Sequence, residues 1–315
     1  MAEIDINEIN ASVKEGEALV FSEDKKYRDF IISLGERITR DENVRIVLLA
    51  GPSGSGKTTT ANMLCDAVKD MGHTASVISL DDFYRDASDP TYPLLDSGER
   101  DFESPMALDV QAIEGALLSA SSGEEFEIPR YDFKEGRRAG CVKYEKISHG
   151  CLIIEGLHAL NPMISEHLPK DKLLKIFISV STNVNKNGER ILSGRKIRFA
   201  RRLVRDSIYR GAGAEYTLKI WENVLCGEDK YLYPYRHLAD VTYDTFHRYE
   251  IGLMRPFVIR LISDELIQRS PYAKTVLEAA LLSDTLPDSL VPEDSLMREF
   301  IPGGKYEELY GEPDI

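Results

Sequence analysis

The sequence predicts an α/β fold built on a mainly parallel sheet. Two observations carry this. Short apolar runs rich in β-branched residues, the pattern of strands buried on both faces, alternate with longer stretches of helical periodicity. One of those runs, Arg45–Ala50 (RIVLLA), leads directly into a glycine-rich turn and then a helix-like stretch from Lys57 to Asp70.

The elements follow in order. Residues 1–44 are polar, but Tyr27, Phe30, Ile31 and Leu34 recur at helical spacing, which predicts an amphipathic helix. Ala75–Leu80 (ASVISL) is a second buried strand. Ser104-Pro105 reads as an N-cap and N1 pair opening a helix through Leu118. Phe126–Phe133 and Cys141–Ile147 read as the two strands of a protruding hairpin. Cys151–Glu155 and Leu174–Val180 are further buried strands. A basic helix, a polar loop and a short strand at Ala239–Tyr243 come next. Arg248–Ile267 has the spacing of one amphipathic helix, and the proline-bearing tail from Leu286 reads as irregular. No internal repeat is visible. The expected organisation is a helical extension over 1–44, a central domain over 45–248, and a helix with an irregular tail over 249–315.

Composition narrows the function. The chain has 315 residues, with 39 Lys plus Arg against 53 Asp plus Glu, a formal charge of −14. That balance argues against sequence-independent nucleic-acid binding, which needs a basic footprint. No apolar run approaches the roughly 18 residues of a membrane span. The acidic start, MAEIDINEIN, lacks the basic and apolar regions of a signal peptide. None of the four cysteines, Cys65, Cys141, Cys151 and Cys226, forms a CxxC pair, which fits reduced thiols in a cytoplasmic protein.

Gly51-Pro-Ser53-Gly54-Ser55-Gly56-Lys57-Thr58 fits GxxxxGK[ST] between a strand and a helix, the context the motif requires. Glycines let the backbone curl so that N–H groups converge on phosphate oxygens, and the helix N-terminus adds partial positive charge. Lys57 places a full charge at the β/γ-phosphates, and the Thr58 hydroxyl suits Mg²⁺. Thr59 closes the candidate set. Asn185-Lys186-Asn187-Gly188 resembles the start of a guanine-reading NKxD element. Gly188 removes the carboxylate, so the segment reads as a turn.

Parallel sheets collect ligands at the carboxyl ends of their strands. The second strand ends Leu80-Asp81-Asp82-Phe83-Tyr84, where a carboxylate can accept a proton from an attacking hydroxyl or merely cap the next segment. The third ends Ile154-Glu155, where a Walker-B acid would join the Mg²⁺ shell; an ordinary strand-end carboxylate is the alternative. Arg198, Arg202 and Arg205 are spaced i, i+4, i+7 and share one helical face, with Arg210 beyond. Nucleic-acid binding, a solvated face, and arginine prongs over a polyphosphate are the three readings. The phosphate motif favours the third.

Together GPSGSGKTT, LDDFY, DFESPMALD (101–109), IPRYDF (128–133), IIEGL and RFARRLVRDSIYRG (198–211) resemble the uridine kinase and phosphoribulokinase family of P-loop kinases, over residues 45–245. The resemblance implies a P-loop NTPase fold: a three-layer sandwich with a five-stranded parallel sheet, a substrate hairpin and a mobile arginine lid. It implies ATP and Mg²⁺, with Asp81 as general base and Lys57, Arg205 and Arg210 at the triphosphate. Thr58 and Glu155 would hold the metal. Tyr84, Phe102 and Tyr131 would shape a nucleoside pocket, and Glu103 and Arg202 would pair with ribose hydroxyls. Glu103 stands where uridine kinases usually carry Asp. Arg138 is retained in Lys134-Glu135-Gly136-Arg137-Arg138, but the family's base-reading His position is Gly136, and Ala212 stands near a second base-contacting arginine.

The expectation is an ATP-dependent phosphotransferase acting on a primary hydroxyl of a nucleoside-like small molecule. The alternatives are a kinase for pantothenate or a sugar phosphate, and a non-catalytic nucleotide-binding regulator. The expected partners are small molecules, with no nucleic acid and no membrane; a homo-oligomer is compatible with the sequence.

Overall fold

The computed structural model describes residues 2–133 and 135–310. Lys134 lies outside the described residues. The chain runs β1 (Glu3–Asp5), α1 (Ile6–Val13), α2 (Glu17–Arg40), β2 (Ile46–Ala50), α3 (Lys57–Asp70) and β3 (Thr74–Ser79). It continues through α4 (Val110–Ser122), the hairpin β4 (Phe126–Asp132) and β5 (Arg137–Tyr144), β6 (Gly150–Glu155), α5 (Pro162–Ser165), β7 (Leu173–Ser179), β8 (Asn183–Lys186) and β9 (Glu189–Leu192). Then come α6 (Gly194–Tyr209), α7 (Ala214–Tyr231), β10 (Val241–Asp244), α8 (Glu250–Leu261), α9 (Asp264–Arg269) and α10 (Pro271–Leu282).

Five strands form an all-parallel sheet in the order β10-β7-β2-β6-β3. Strand β2 shows why its sequence is continuously apolar. Ile46, Leu48 and Ala50 pack on one face against Ile113 and Leu117 of α4, while Val47 and Leu49 pack on the other against α2 and α3. Removing one such side chain would cost about 2–5 kcal/mol, transfer and cavity together. The three layers are thus α2 and α3, the sheet, and α4. A third cluster joins α1, α6, α8 and α10 with Leu286, Val291, Met297, Phe300 and Ile301.

Strand registers set the functional edge. Leu49 and Ser79 both lie opposite Glu155, so the turn after β2, the Asp81 segment after β3 and Glu155 emerge together at the carboxyl edge.

Several elements differ from the sequence expectation. The Ser104 hydroxyl accepts from Met106 N–H, but it opens only the single turn Pro105–Ala107. Leu108 is extended and bridges Tyr84, and Asp109 then caps α4 by accepting from Ala112 N–H. The second hairpin strand starts at Arg137 rather than Cys141, because Tyr131 and Asp132 pair with Arg138 and Arg137 past a bulge. Arg248–Ile267 is two helices: Ile262 is extended, and the Ser263 hydroxyl starts α9 by accepting from Leu266 N–H. Strands β1, β8 and β9 form an extra small sheet. The turn between β8 and β9 holds Asn187 and Gly188 at φ 53° and 83°, the conformation of a two-residue hairpin turn. Among the described residues, 287–310 hold only 3₁₀ turns, yet Leu296, Met297, Phe300 and Ile301 have no exposed surface.

Candidate active site

The glycine-rich loop is shaped from behind by helix α6. Arg198 donates to the Ser53 carbonyl at 2.8 Å and Arg201 to the Gly54 carbonyl at 3.2 Å. The Thr245 hydroxyl donates to the Ser55 carbonyl at 2.9 Å. Each arginine is anchored in turn by a buried carboxylate: Arg198 by Glu228 at 2.7 and 2.8 Å, and Arg201 by Glu250 at 2.6 and 3.1 Å. Gly54 and Gly56 take φ values of 72° and 90°, which side chains with a Cβ resist. The loop delivers Lys57 and Thr58 into a cleft of about 560 Å³ that Asp81, Glu155, Arg202, Arg205 and Arg210 also line.

Charge in the cleft is balanced at close range. The Thr58 hydroxyl donates to Glu155 at 3.5 Å. Burial pushes the Glu155 carboxyl up to about 7, against the pull of Lys57. Asp81 is exposed to the cleft at the end of β3. Loss of solvation raises its pKa, with Lys57, Arg210, Arg205 and Arg202 opposing. Asp206 gathers three of these cations: Arg202 at 3.1 Å, Arg205 at 3.2 Å and Arg210 at 3.5 Å. Burial of Asp206 opposes ionisation, but the arginines prevail and hold its pKa low. Arg205 in turn lowers Arg210 to about 10, and burial adds to the effect.

The other half of the cleft is aromatic. The Tyr84 ring lies 5.5 Å from Tyr131, 6.0 Å from Phe133 and 6.5 Å from Phe102. The Tyr84 hydroxyl donates to the Phe102 carbonyl at 2.8 Å. Burial raises Glu103 to about 7, with Arg202 opposing. His158, buried beside this end, is lowered to about 4 by loss of solvation, so its ring is neutral at pH 7; Nδ1 has no partner among the described residues.

A sequence profile of the Phosphoribulokinase / Uridine kinase family matches residues 46–251. The chain belongs to the phosphoribulokinase / uridine kinase family. It is similar to the uridine kinase of Staphylococcus haemolyticus, at 27% identity over 63% of this chain and 86% of that one. It is also similar to the uridine kinase of Deinococcus deserti, at 29% identity over 62% and 85%. A solved structure described as a possible uridine kinase from Bacillus stearothermophilus aligns at 17% identity over 70% of this chain and 100% of that one, with a TM-score of 0.48.

Not every candidate residue of this family member stands where the sequence placed it. Ser53, Gly54, Lys57, Thr58, Asp81, Tyr84, Phe102, Glu103, Tyr131, Glu155, Arg202, Arg205 and Arg210 converge on the cleft. Gly51, Ser55 and Gly56 are buried behind the loop's inner surface and do not line it. Ser53 N–H is taken by Glu228 at 2.9 Å. Thr59 turns away: its N–H and hydroxyl both donate to Glu299, at 3.1 and 2.8 Å. Arg138 is outside the cleft because Asp109 holds it at 2.8 Å and the Tyr84 carbonyl accepts from Nε at 3.4 Å. Arg198 is not a prong but a fully buried brace, and most of α6 is core rather than lid.

Sequence reasoning missed Asp206, Glu228, Phe133, His158 and Glu299. Asp206 carried a signal, lying four residues after Arg202 and four before Arg210. Phe133 is the last residue of the IPRYDF motif, and His158 directly follows IIEGL. Glu228 and Glu299 arrive from distant helical turns and left no local trace.

Proposed function

We propose that this family member is an ATP- and Mg²⁺-dependent kinase that transfers the γ-phosphoryl group to a primary hydroxyl of a nucleoside-like acceptor. The observation that carries it is the Asp81 carboxylate standing in one cleft with Lys57, Arg205 and Arg210. A regulator that only bound nucleotide would have no use for a proton acceptor there.

The residues divide the work. Asp81 orients the acceptor hydroxyl and takes its proton as that oxygen bonds to the γ-phosphorus and the bond to the β-phosphate oxygen breaks. Lys57, Arg205 and Arg210 face the charge that builds on the transferring group. The Thr58 hydroxyl and Glu155 carboxylate are hard oxygen donors beside each other, the sparse protein set Mg²⁺ accepts when phosphates complete its shell. When bound, the ion neutralises phosphate charge. Glu155 must then ionise, which an adjacent dication favours. Tyr84, Phe102, Tyr131 and Phe133 offer faces for a ring, and Glu103 and Arg202 offer partners for ribose hydroxyls.

The catalytic unit in this reading is residues 45–248, with 1–44 and 249–315 as extensions. A cytoplasmic location, where ATP is abundant, belongs to the same reading, with small molecules rather than nucleic acid as substrates. Gly136 lines the cleft and offers the base no side-chain donor, which favours, as a second reading, a different small alcohol such as pantothenate or a sugar phosphate. A screen of ATP turnover over nucleosides, sugar phosphates and pantothenate separates the readings. ADP formation with none of them would reject the kinase assignment for these acceptors.

A further inference from the structure

Helix α3 begins with the phosphate loop, and Thr59 is its third residue. The first N–H groups of a helix have no intrahelical acceptor, and in glycine-rich phosphate loops they bind anions. Here an anion is already present, and it is a side chain. Glu299 Oε2 accepts from Thr59 N–H at 3.1 Å and from the Thr59 hydroxyl at 2.8 Å, and Glu299 is 3% exposed. The Tyr310 hydroxyl closes over the same Thr59 oxygen at 2.7 Å. Leu296 presses on the loop so tightly that a Cβ at Gly56 would lie 2.4 Å from its Cδ1. Glu299 lines the cleft alongside Lys57, Thr58 and Arg205, and its charge helps to raise Glu155. All these contacts come from beyond residue 251, where the family match ends.

We propose that Glu299 is a donor-site residue supplied by the C-terminal segment: its carboxylate occupies the phosphate position at Thr59 in the free protein and leaves it when a polyphosphate binds. The segment outside the family region thereby sets the affinity for the donor. Like charges cannot share one N–H group, so phosphate and carboxylate compete. The exchange needs no unfolding. Arg205 Nη1 lies 3.7 Å from Glu299 Oε1 and offers the displaced carboxylate a second partner by side-chain rotation. Leu296, Met297, Phe300 and Ile301 keep their buried positions.

The inference rests on the kinase reading only through the phosphate cradle, so its test uses binding and not turnover. Calorimetry would measure ADP and inorganic tripolyphosphate on the full chain, on Glu299→Gln, on Glu299→Ala and on Lys57→Ala. The expected result is about tenfold or greater tightening of both anions by each Glu299 variant, and weakening by Lys57→Ala. Unchanged or weaker binding in the Glu299 variants, with Lys57→Ala also weakened, would make Glu299 a structural cap of α3 and overturn the proposal while sparing the cradle. No effect of Lys57→Ala would overturn the cradle itself, and the proposal with it. A measurement on the unmodified chain guards against variants that fold poorly. A structure of the unmodified chain with tripolyphosphate bound should show Glu299 Oε2 beyond hydrogen-bond distance of Thr59 N–H; a carboxylate still seated on Thr59 contradicts the displacement.

Discussion

Arg198 gives its two terminal nitrogens to the two carboxylate oxygens of Glu228, and neither side chain has any exposed surface. The same guanidinium holds the Ser53 carbonyl, and the same carboxylate holds the Ser53 N–H. The phosphate loop is therefore fastened through a buried ion pair rather than by its own glycines alone. Breaking such a pair from one side leaves an uncompensated buried charge and costs about 3–5 kcal/mol. Glu228→Ala should lose that much in a denaturant titration. Arg198→Met with Glu228→Leu should recover much of the stability but not the affinity for ADP, because the loop carbonyl stays untethered. A Glu228→Ala protein as stable as the parent would remove the pair from this role.

Glu155 predicts a pH dependence of stability. Its folded pKa, about 7, lies above the ordinary 4.5, so protonation favours the folded state. The relative stability this provides is complete below pH 4.5 and is lost as pH rises through 7. Glutamine in its place does not titrate. Glu155→Gln should match the parent near pH 4.5 and exceed it at pH 8, by an amount on the order of 3 kcal/mol. Thermal melts at both pH values check this; an advantage that shrank towards pH 8 would reverse the sign. Turnover of the variant should fall at every pH, since an amide is a poor Mg²⁺ ligand.

Much of this was legible in the sequence, for a physical reason. Strands buried on both faces must be apolar throughout, so Arg45–Ala50 and Cys151–Glu155 announced themselves, and the start of α3 was fixed by the loop that precedes it. What failed was the Ser104 cap. Ser104 and Asp109 each cap something, and only the bridge from Leu108 to Tyr84 decides that the long helix starts at the second. The basic face of α6 was visible, but not that Arg198 points into the core, because Glu228 lies 30 residues away. The carboxylate on Thr59 was not legible either, because nothing near Thr59 in sequence foretells Glu299.

The acceptor half of the cleft predicts what the enzyme reads. In the proposed reading Glu103 and Arg202 are the partners for a ribose, while Gly136 brings no side-chain donor to a base. Uridine should therefore not be strongly preferred over other ribonucleosides, and 2′-deoxy analogues should be poorer substrates. The check is kcat/KM across the four ribonucleosides and their deoxy forms. A preference for uridine above about 10³-fold would need about 4 kcal/mol of base recognition and would refute the argument.

Asp81 is the proposed proton acceptor of a phosphoryl transfer from ATP. That role is tested most directly by turnover and ATP affinity of Asp81→Asn beside the parent, with the best acceptor from the screen. The kcat should fall by about 10²–10⁴-fold, the range for a positioned general base, while the Kd for ATP changes little. An unchanged kcat, or a loss confined to the acceptor's KM, would contradict it.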